Sequence, residues 1–170
     1  MKRNILFSLV AVLLLGTHSF AQKGNKFGHI NSAELLSLMP ERRVAALEMD
    51  SITKTVQKQL EEMMTEYRAK QEKYSIEAPK MSELLKKDKE EELNSLANRI
   101  QSFQQQAQGT LEEEEQRLIN PIIDKAKKAI EDVAKENGYT YVFDTSIGAL
   151  IFWEESDNII ALVKKKLNLP

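Results

Sequence analysis

Apolar residues recur along residues 45–67 in steps of four, three and four positions, which is an eleven-residue repeat. The repeat runs through Ala45, Met49, Ile52, Val56, Leu60, Met63 and Tyr67. A period of about 3.67 residues per turn predicts a long, nearly straight helix with one apolar stripe. The same period returns at Leu96, Ile100, Phe103, Ala107, Leu111 and Leu118 and continues through Ile122, Ala129 and Val133. Because both segments share one period, we expect them to pack against each other.

Three prolines divide this part of the chain, at Pro40, Pro79 and Pro121. Proline lacks an N–H and clashes with the preceding turn, so it ends or kinks helices. We therefore predict two helices of matched length, each roughly 55–60 Å long, that reverse direction near Pro79. Ser82 is placed to cap the return helix. The result is an antiparallel, coiled-coil-like helical hairpin, an arm formed by residues 41–120.

The segments on either side of the arm are short and predict a small β-rich body made of residues 22–40 and 121–170. Asn31 can cap a helix over residues 32–39, and Asn137–Gly138 can end the second arm helix. Aromatic and β-branched residues predict strands at residues 27–31 and 139–144, with residues 149–154 as the hairpin partner of the latter. Ser156 is expected to cap a last helix. The predicted fold class is α+β.

The first residues have the pattern of a secretory signal. Lys2 and Arg3 precede an apolar run from Ile5 to Leu15, which is too short to span a bilayer. Ser19-Phe20-Ala21 predicts cleavage after Ala21, so that residues 1–21 form the signal peptide. An N-terminal membrane anchor is the alternative interpretation. Cleavage would take away two basic residues and no acidic one, so the formal net charge would change from −2 to −4.

The composition offers little material for catalysis. The chain has no cysteine, and His29 is the one histidine after the predicted cleavage site, where we interpret it as a strand residue bonded to backbone or solvent. The four carboxylates of Glu112–Glu115 point around most of a helix, so they do not converge on one cation. Serines stand at caps and turns, and the mild acidity gives no sign of nucleic-acid binding. We predict a non-enzymatic protein with no catalytic residues, metal or cofactor.

The order of the segments resembles one protein family. A strand Phe27-Gly28-His29-Ile30-Asn31 precedes a helix that ends in Leu38-Met39-Pro40-Glu41, and Tyr141-Val142-Phe143-Asp144 follows the hairpin. This arrangement resembles the Skp (OmpH) family of periplasmic chaperones over residues 26–167. The resemblance implies a homotrimer whose arms enclose unfolded outer-membrane proteins in the periplasm without using nucleotide. The best-known members are strongly basic, whereas this chain is mildly acidic, so contact with a membrane or lipopolysaccharide stays open.

Two sets of residues are candidates for binding. Methionine is common on surfaces that bind many partners. The methionine, aromatic and other apolar residues of the distal arm are candidates for contact with the unfolded proteins, which we call clients. This client-binding set consists of Met63, Met64, Tyr67, Tyr74, Ile76, Met81, Leu84 and Leu85. Met63 and Tyr67 also fit the stripe between the helices. The apolar strands suggest a trimerisation set: Phe27, Ile30, Tyr141, Phe143, Ile151, Phe152 and Trp153. The main rival interpretation is a structural tether or adaptor of the cell envelope, whose hairpin binds one folded partner.

Overall fold

The computed structural model describes residues 24–170, and the predicted signal peptide lies outside these residues. The elements in chain order are strand β1 (Phe27–Ile30), helices α1 (Ser32–Leu38), α2 (Pro40–Glu77) and α3 (Glu83–Glu136), strand β2 (Tyr141–Asp144) and helix α4 (Ile160–Lys166). Helices α2 and α3 pack along each other and form the hairpin, while the other elements gather at its base. The predicted α+β class with a long helical hairpin is confirmed.

The hairpin turns at Ala78–Lys80, a short 3₁₀ turn that contains Pro79. The Ser82 hydroxyl accepts a hydrogen bond from the Leu85 N–H at 3.3 Å and so caps α3 as expected. Every member of the predicted stripe on α2 is buried or half-buried, and so are its counterparts on α3. The eleven-residue repeat therefore marks the contact line between the two helices.

The two arm helices differ in length, which corrects the prediction of a matched pair. Helix α2 has 38 residues and α3 has 54, so they are about 57 Å and about 81 Å long. Pro121 lies inside α3 and does not end it. A proline there costs about 3 kcal/mol, but Ile122, Ala126 and Ala129 beside it are buried in the core. Packing of the far end of α3 outweighs the lost backbone hydrogen bond.

Strands β1 and β2 are parallel, with Phe27 opposite Tyr141 and Ile30 opposite Asp144. Parallel neighbours need a long crossover connection, and here the whole hairpin is that connection. One face of the pair covers a core supplied by all the helices. Its buried members are Ile30, Leu35, Met39, Ala45, Ile122, Ala126, Ala129, Val133, Ile159 and Val163.

The predicted third strand at residues 149–154 is absent from the described part of the chain, where β2 pairs only with β1. Residues 149–154 are irregular and lead into a 3₁₀ turn at Glu155–Asp157. A strand needs a neighbour to satisfy its backbone groups, and within residues 24–170 no strand pairs with this segment. The predicted cap is also wrong, because Asn158 rather than Ser156 accepts the hydrogen bond from Ile160 N–H, at 3.0 Å.

Polar side chains fix the junctions of the body. Asn31 Oδ1 accepts from Glu34 N–H at 3.0 Å, which confirms the predicted cap of α1. Asp144, at the end of β2, accepts hydrogen bonds from the backbone N–H groups of Ser32 at 3.2 Å and Ser146 at 2.9 Å. Partial burial raises the pKa of Asp144, but hydrogen bonds from these serines outweigh burial and lower it. The carboxylate thus joins β2 to the start of α1.

Candidate binding surfaces

The distal end of the hairpin exposes large apolar side chains. Ile76 and Leu84 are 68% and 81% exposed, and Met64 and Leu85 are each more than two-fifths exposed. They lie off the stripe that holds α2 against α3, so packing within the arm does not cover them. Large exposed apolar patches are a feature of interaction sites, so the distal end of the arm is a candidate for one.

Six of the eight predicted client-binding residues line separate grooves, whereas Ile76 and Leu84 lie exposed near the turn. Tyr74, Met81 and Leu85 line a cavity of about 300 Å³ near the turn, together with Lys70, Lys73, Glu77, Lys89, Glu92 and Leu93. Met64 and Tyr67 line a groove of about 480 Å³ farther down the arm. Met63 opens on a third groove. The structure therefore distributes the set along the arm instead of bringing it into one pocket.

Ionic groups join the two arm helices near the turn. Glu92 on α3 pairs with Lys70 of α2 and accepts from Lys89 at 2.9 Å. Hydrogen bonds from Lys70 and Lys89 lower the pKa of Glu92 to about 2. The Tyr74 hydroxyl donates to Glu90 across the same interface, and this hydrogen bond raises the pKa of Tyr74. The side chains of these contacts are partly exposed to solvent, so the contacts position the helices more than they stabilise them.

A second group of ion pairs joins the helices close to the body. Arg117 of α3 donates to Glu48 of α2 at 2.6 Å and to Glu114 at 2.7 Å, and Lys125 pairs with Glu41. The hydrogen bond to Glu48 makes the largest contribution to raising the pKa of Arg117, and the hydrogen bond to Glu114 makes the next largest. The arm is thus held by charged contacts at both ends, with the middle left to apolar packing and neutral side chains.

An uncovered aromatic face lies on the two-stranded sheet. Phe27 and Tyr141 stack with ring centroids 5.9 Å apart, and Phe143 lies 6.3 Å from each. Side chains alternate across a strand, so these rings share the face that points away from the core. They are 48%, 57% and 42% exposed. The face is a second candidate interaction surface.

The segment after β2 covers one end of this face. His29 Nε2 is 2.9 Å from the Glu154 carbonyl oxygen, and the His29 ring lies 5.9 Å from Trp153. This agrees with the interpretation of His29 as a strand residue bonded to backbone. Ile151 and Phe152 are 101% and 79% exposed. Ile30, by contrast, is 2% exposed in the chain's own core, so it is not available to a partner, which corrects its place in the trimerisation set.

Sequence reasoning missed one apolar feature near the body. Val44 and Leu47 are each 63% exposed on α2. Val44 borders a groove of about 360 Å³ that Leu118, Pro121 and Ile122 line from α3. The available signal was the presence of two apolar residues three positions apart that do not fit the eleven-residue repeat.

No helix within residues 24–170 is long and apolar enough to cross a membrane. Over the same residues, no three histidine or acidic side chains lie close enough together to hold a metal ion.

The fold defines a class of protein in which a small body carries one long helical hairpin, and both parts expose apolar surface. The family model of outer membrane proteins described as OmpH-like matches residues 26–167. The chain belongs to this family, as the order of its segments predicted.

Two relatives illustrate the range of similarity. The chaperone protein Skp of Vibrio cholerae is 26% identical over 153 residues, which cover 86% of this chain and 88% of that protein. A crystal structure of an OmpH-like protein from Caulobacter crescentus superimposes with a TM-score of 0.73 at 15% identity, covering 85% of this chain and 84% of the other. The second likeness concerns the fold alone.

Proposed function

We propose that this chain is a chaperone of the periplasm that holds unfolded outer-membrane proteins and prevents their aggregation without ATP. The observation that carries the proposal is the exposure of Ile76 and Leu84, at 68% and 81%, at the end of a hairpin that projects far from the body. Membership of the OmpH-like family and similarity to a chaperone protein support it.

The proposed mechanism uses many weak contacts. A holdase must cover apolar surface on clients of different sequence and release it without fuel. Flexible and polarisable methionine side chains suit this task, and Met64 and Met81 lie on grooves of the distal arm. The separate grooves of the arm favour a client that is bound at several places and exchanges among them. In this account no residue is catalytic and no cofactor takes part.

We propose further that three chains assemble through their bodies. The arm is assigned to residues 41–120 and the body to residues 22–40 and 121–170. Burial of the stacked rings of Phe27, Tyr141 and Phe143 against other copies would remove a large apolar area from water. Ile151, Phe152 and Trp153 extend the proposed interface. Three arms that project from one such body would surround a space large enough for an unfolded chain.

The proposed location in the periplasm rests on the sequence of the first residues. Residues 1–21 are proposed as a signal peptide cleaved after Ala21, which would deliver the mature chain to the periplasm. A mature protein beginning at Gln22, detected by mass spectrometry of the periplasmic fraction, would support this step. A chain that keeps Met1 and sediments with membranes would contradict it.

The experiment that tests the function is suppression of client aggregation. A urea-unfolded β-barrel outer-membrane protein is diluted into buffer with the mature chain, and light scattering is followed over time. The wild-type chain should suppress scattering, and a variant with Met64→Ser, Ile76→Ser and Met81→Ser should suppress it less at the same helicity. A matched control replaces exposed polar residues of the arm, Ser51→Ala and Thr65→Ala. Undiminished suppression by the triple variant would remove these three residues from the contact surface.

The rival function, a tether for one folded partner, predicts a different result in the same assay. A tether recognises a defined surface, so it should not delay the aggregation of an unrelated unfolded protein. Failure of the wild-type chain to delay scattering at any ratio would favour the tether and contradict the holdase.

A further inference from the structure

A row of neutral polar side chains runs along the middle of α3. Asn94, Asn98, Ser102 and Gln106 follow one another at intervals of four residues. Residues four apart lie on one face of a helix, so these side chains form a continuous line. In a chain with 29% charged residues, four successive neutral hydrogen-bonding groups on one line are an unusual feature. We call this set the amide row.

The amide row borders a groove of about 680 Å³ between the two arm helices. The apolar side chains of Met63 and Phe103 line it, and Gln59 reaches it from α2. The two charged residues at its margin, Glu91 and Arg99, have opposite signs. The groove therefore combines apolar surface with neutral donors and acceptors, and it carries no net charge that would select a charged ligand.

The donors and acceptors of the amide row are open to a ligand. In the part of the chain that the structure describes, side-chain hydrogen bonds next to the amide row are made by residues outside it. An example is the hydrogen bond from Gln108 Nε2 to Glu112. All four side chains of the row are exposed. An amide both donates and accepts, and so does a serine hydroxyl.

The spacing of the amide row matches an extended polypeptide. Each step of four residues rises about 6 Å along the helix. An extended chain presents equivalent peptide groups on one side every two residues, or about 6.6 Å. The row from Asn94 to Gln106 is about 18 Å long, enough to contact five or six residues of such a chain.

We infer that the amide row binds the unpaired backbone of an extended segment of the client, while Met63 and Phe103 contact its apolar side chains. Peptide groups are the same in every sequence, so contact with them gives recognition that does not depend on the client's sequence. The occupant is a polypeptide without secondary structure, because a folded partner has already paired its backbone groups. The inference rests on the proposed function and names the chemical group that the holdase recognises.

The test compares two peptides and three proteins. The probe is a fluorescein-labelled nine-residue peptide of alternating leucine and threonine, and its partner carries N-methyl groups on two alternate residues, which removes two N–H donors. The proteins are the mature wild-type chain, a row variant with Asn98→Ala, Ser102→Ala and Gln106→Ala, and a control variant. Alanine favours helix, and circular dichroism checks that helicity is kept. Fluorescence anisotropy gives Kd for each pair.

The control variant removes the same kind of side chain from elsewhere on the arm. It carries Gln57→Ala, Gln71→Ala and Gln116→Ala, three exposed positions outside the groove of the amide row. This variant should bind both peptides as the wild-type chain does. If it loses as much affinity as the row variant, the position of the amides does not matter and the inference is wrong.

The inference predicts that methylation weakens binding to the wild-type chain about tenfold, the effect of two hydrogen bonds of ordinary strength. The row variant should bind the unmethylated peptide about tenfold more weakly, and methylation should then change its Kd less than twofold. An equal effect of methylation on both proteins would overturn the inference and leave the holdase function standing. No binding of either peptide to the wild-type chain would overturn both.

Discussion

Gly28 provides a sharp test of the packing in the body. It lies in β1, is buried, and faces the core on the same side of the strand as Ile30. A Cβ atom added at Gly28 would lie 2.9 Å from Tyr139 Cε1 and 3.1 Å from Ile159 Cγ2. Both distances are shorter than ordinary van der Waals contact, and Ile159 is fully buried. The side chains cannot both withdraw without disturbing the core.

We expect Gly28→Ala to destabilise the body by about 1–3 kcal/mol, the usual cost of overpacking a filled site. A matched control is Gly109→Ala, because a Cβ added there meets nothing within 4 Å and the residue lies inside α3. Alanine is favoured over glycine in a helix by about 1 kcal/mol. One chemical change should therefore have opposite effects at the two positions.

The assay is urea unfolding at a fixed protein concentration, followed by tryptophan fluorescence and by circular dichroism. Trp153 is the chain's single tryptophan and its ring lies 5.9 Å from that of His29, next to Gly28 in β1, so its fluorescence reports on the body. If the free energy of unfolding falls by about 2 kcal/mol per molar urea, Gly28→Ala should lower the urea concentration at the fluorescence midpoint by roughly 0.5–1.5 M. A midpoint equal to or above that of the wild-type chain would refute the proposed packing.

Three further predictions concern single side chains. Trp153→Asp should dissociate the proposed trimer, because it places a charge in an apolar interface, and an unchanged mass in sedimentation would count against that interface. The Glu92 carboxyl should titrate by NMR well below its ordinary value of 4.5; its ion pairs are complete above about pH 4.5 and are lost as the pH falls toward 2. Lys70→Met should raise the pKa of Glu92, and a pKa of 4.5 for Glu92 in the wild-type chain would contradict the pairing. Asp144→Asn should cost about 1–3 kcal/mol in urea unfolding because it weakens the hydrogen bonds that join β2 to Ser32; unchanged stability would show that the junction does not need the charge.

The hairpin could be predicted from the sequence because its contact line is local and periodic. Ala45, Met49 and Ile52 repeat at helical spacing, and the turn carries both a proline and a serine cap. The lengths of the helices could not be predicted in the same way. Pro121 is a local signal for an end, whereas the packing of Ile122 and Ala126 that overrides it depends on the rest of the fold.

The strand prediction failed at residues 149–154 for a related reason. Residues such as Ile151, Phe152 and Trp153 favour extended structure, but a propensity does not say which strand will be the neighbour. Within the described residues this segment has no such neighbour and remains irregular. Ile151 and Phe152 are exposed in the single chain, and they belong to the proposed trimer interface.

The sequence indicated which apolar residues form the candidate client-binding set, but their arrangement along the arm needed the structure. Met64 and Tyr67 share one groove while Met63 opens on another, because neighbours in sequence point to different sides of a helix. Which groove each joins depends on the register of α2 against α3. The amide row was visible in the sequence as a four-residue spacing of neutral polar side chains, but its relation to Gln59 and Met63 on the other helix needed the structure.

The most direct test of the proposed function is native mass spectrometry of the mature chain, alone and mixed with a urea-unfolded β-barrel outer-membrane protein. We expect three copies of the chain without client and three copies with one client after mixing, in buffer without nucleotide. A chain whose mass is unaffected by the client, with the client recovered only as aggregate, would contradict the claim that the arms enclose an unfolded protein.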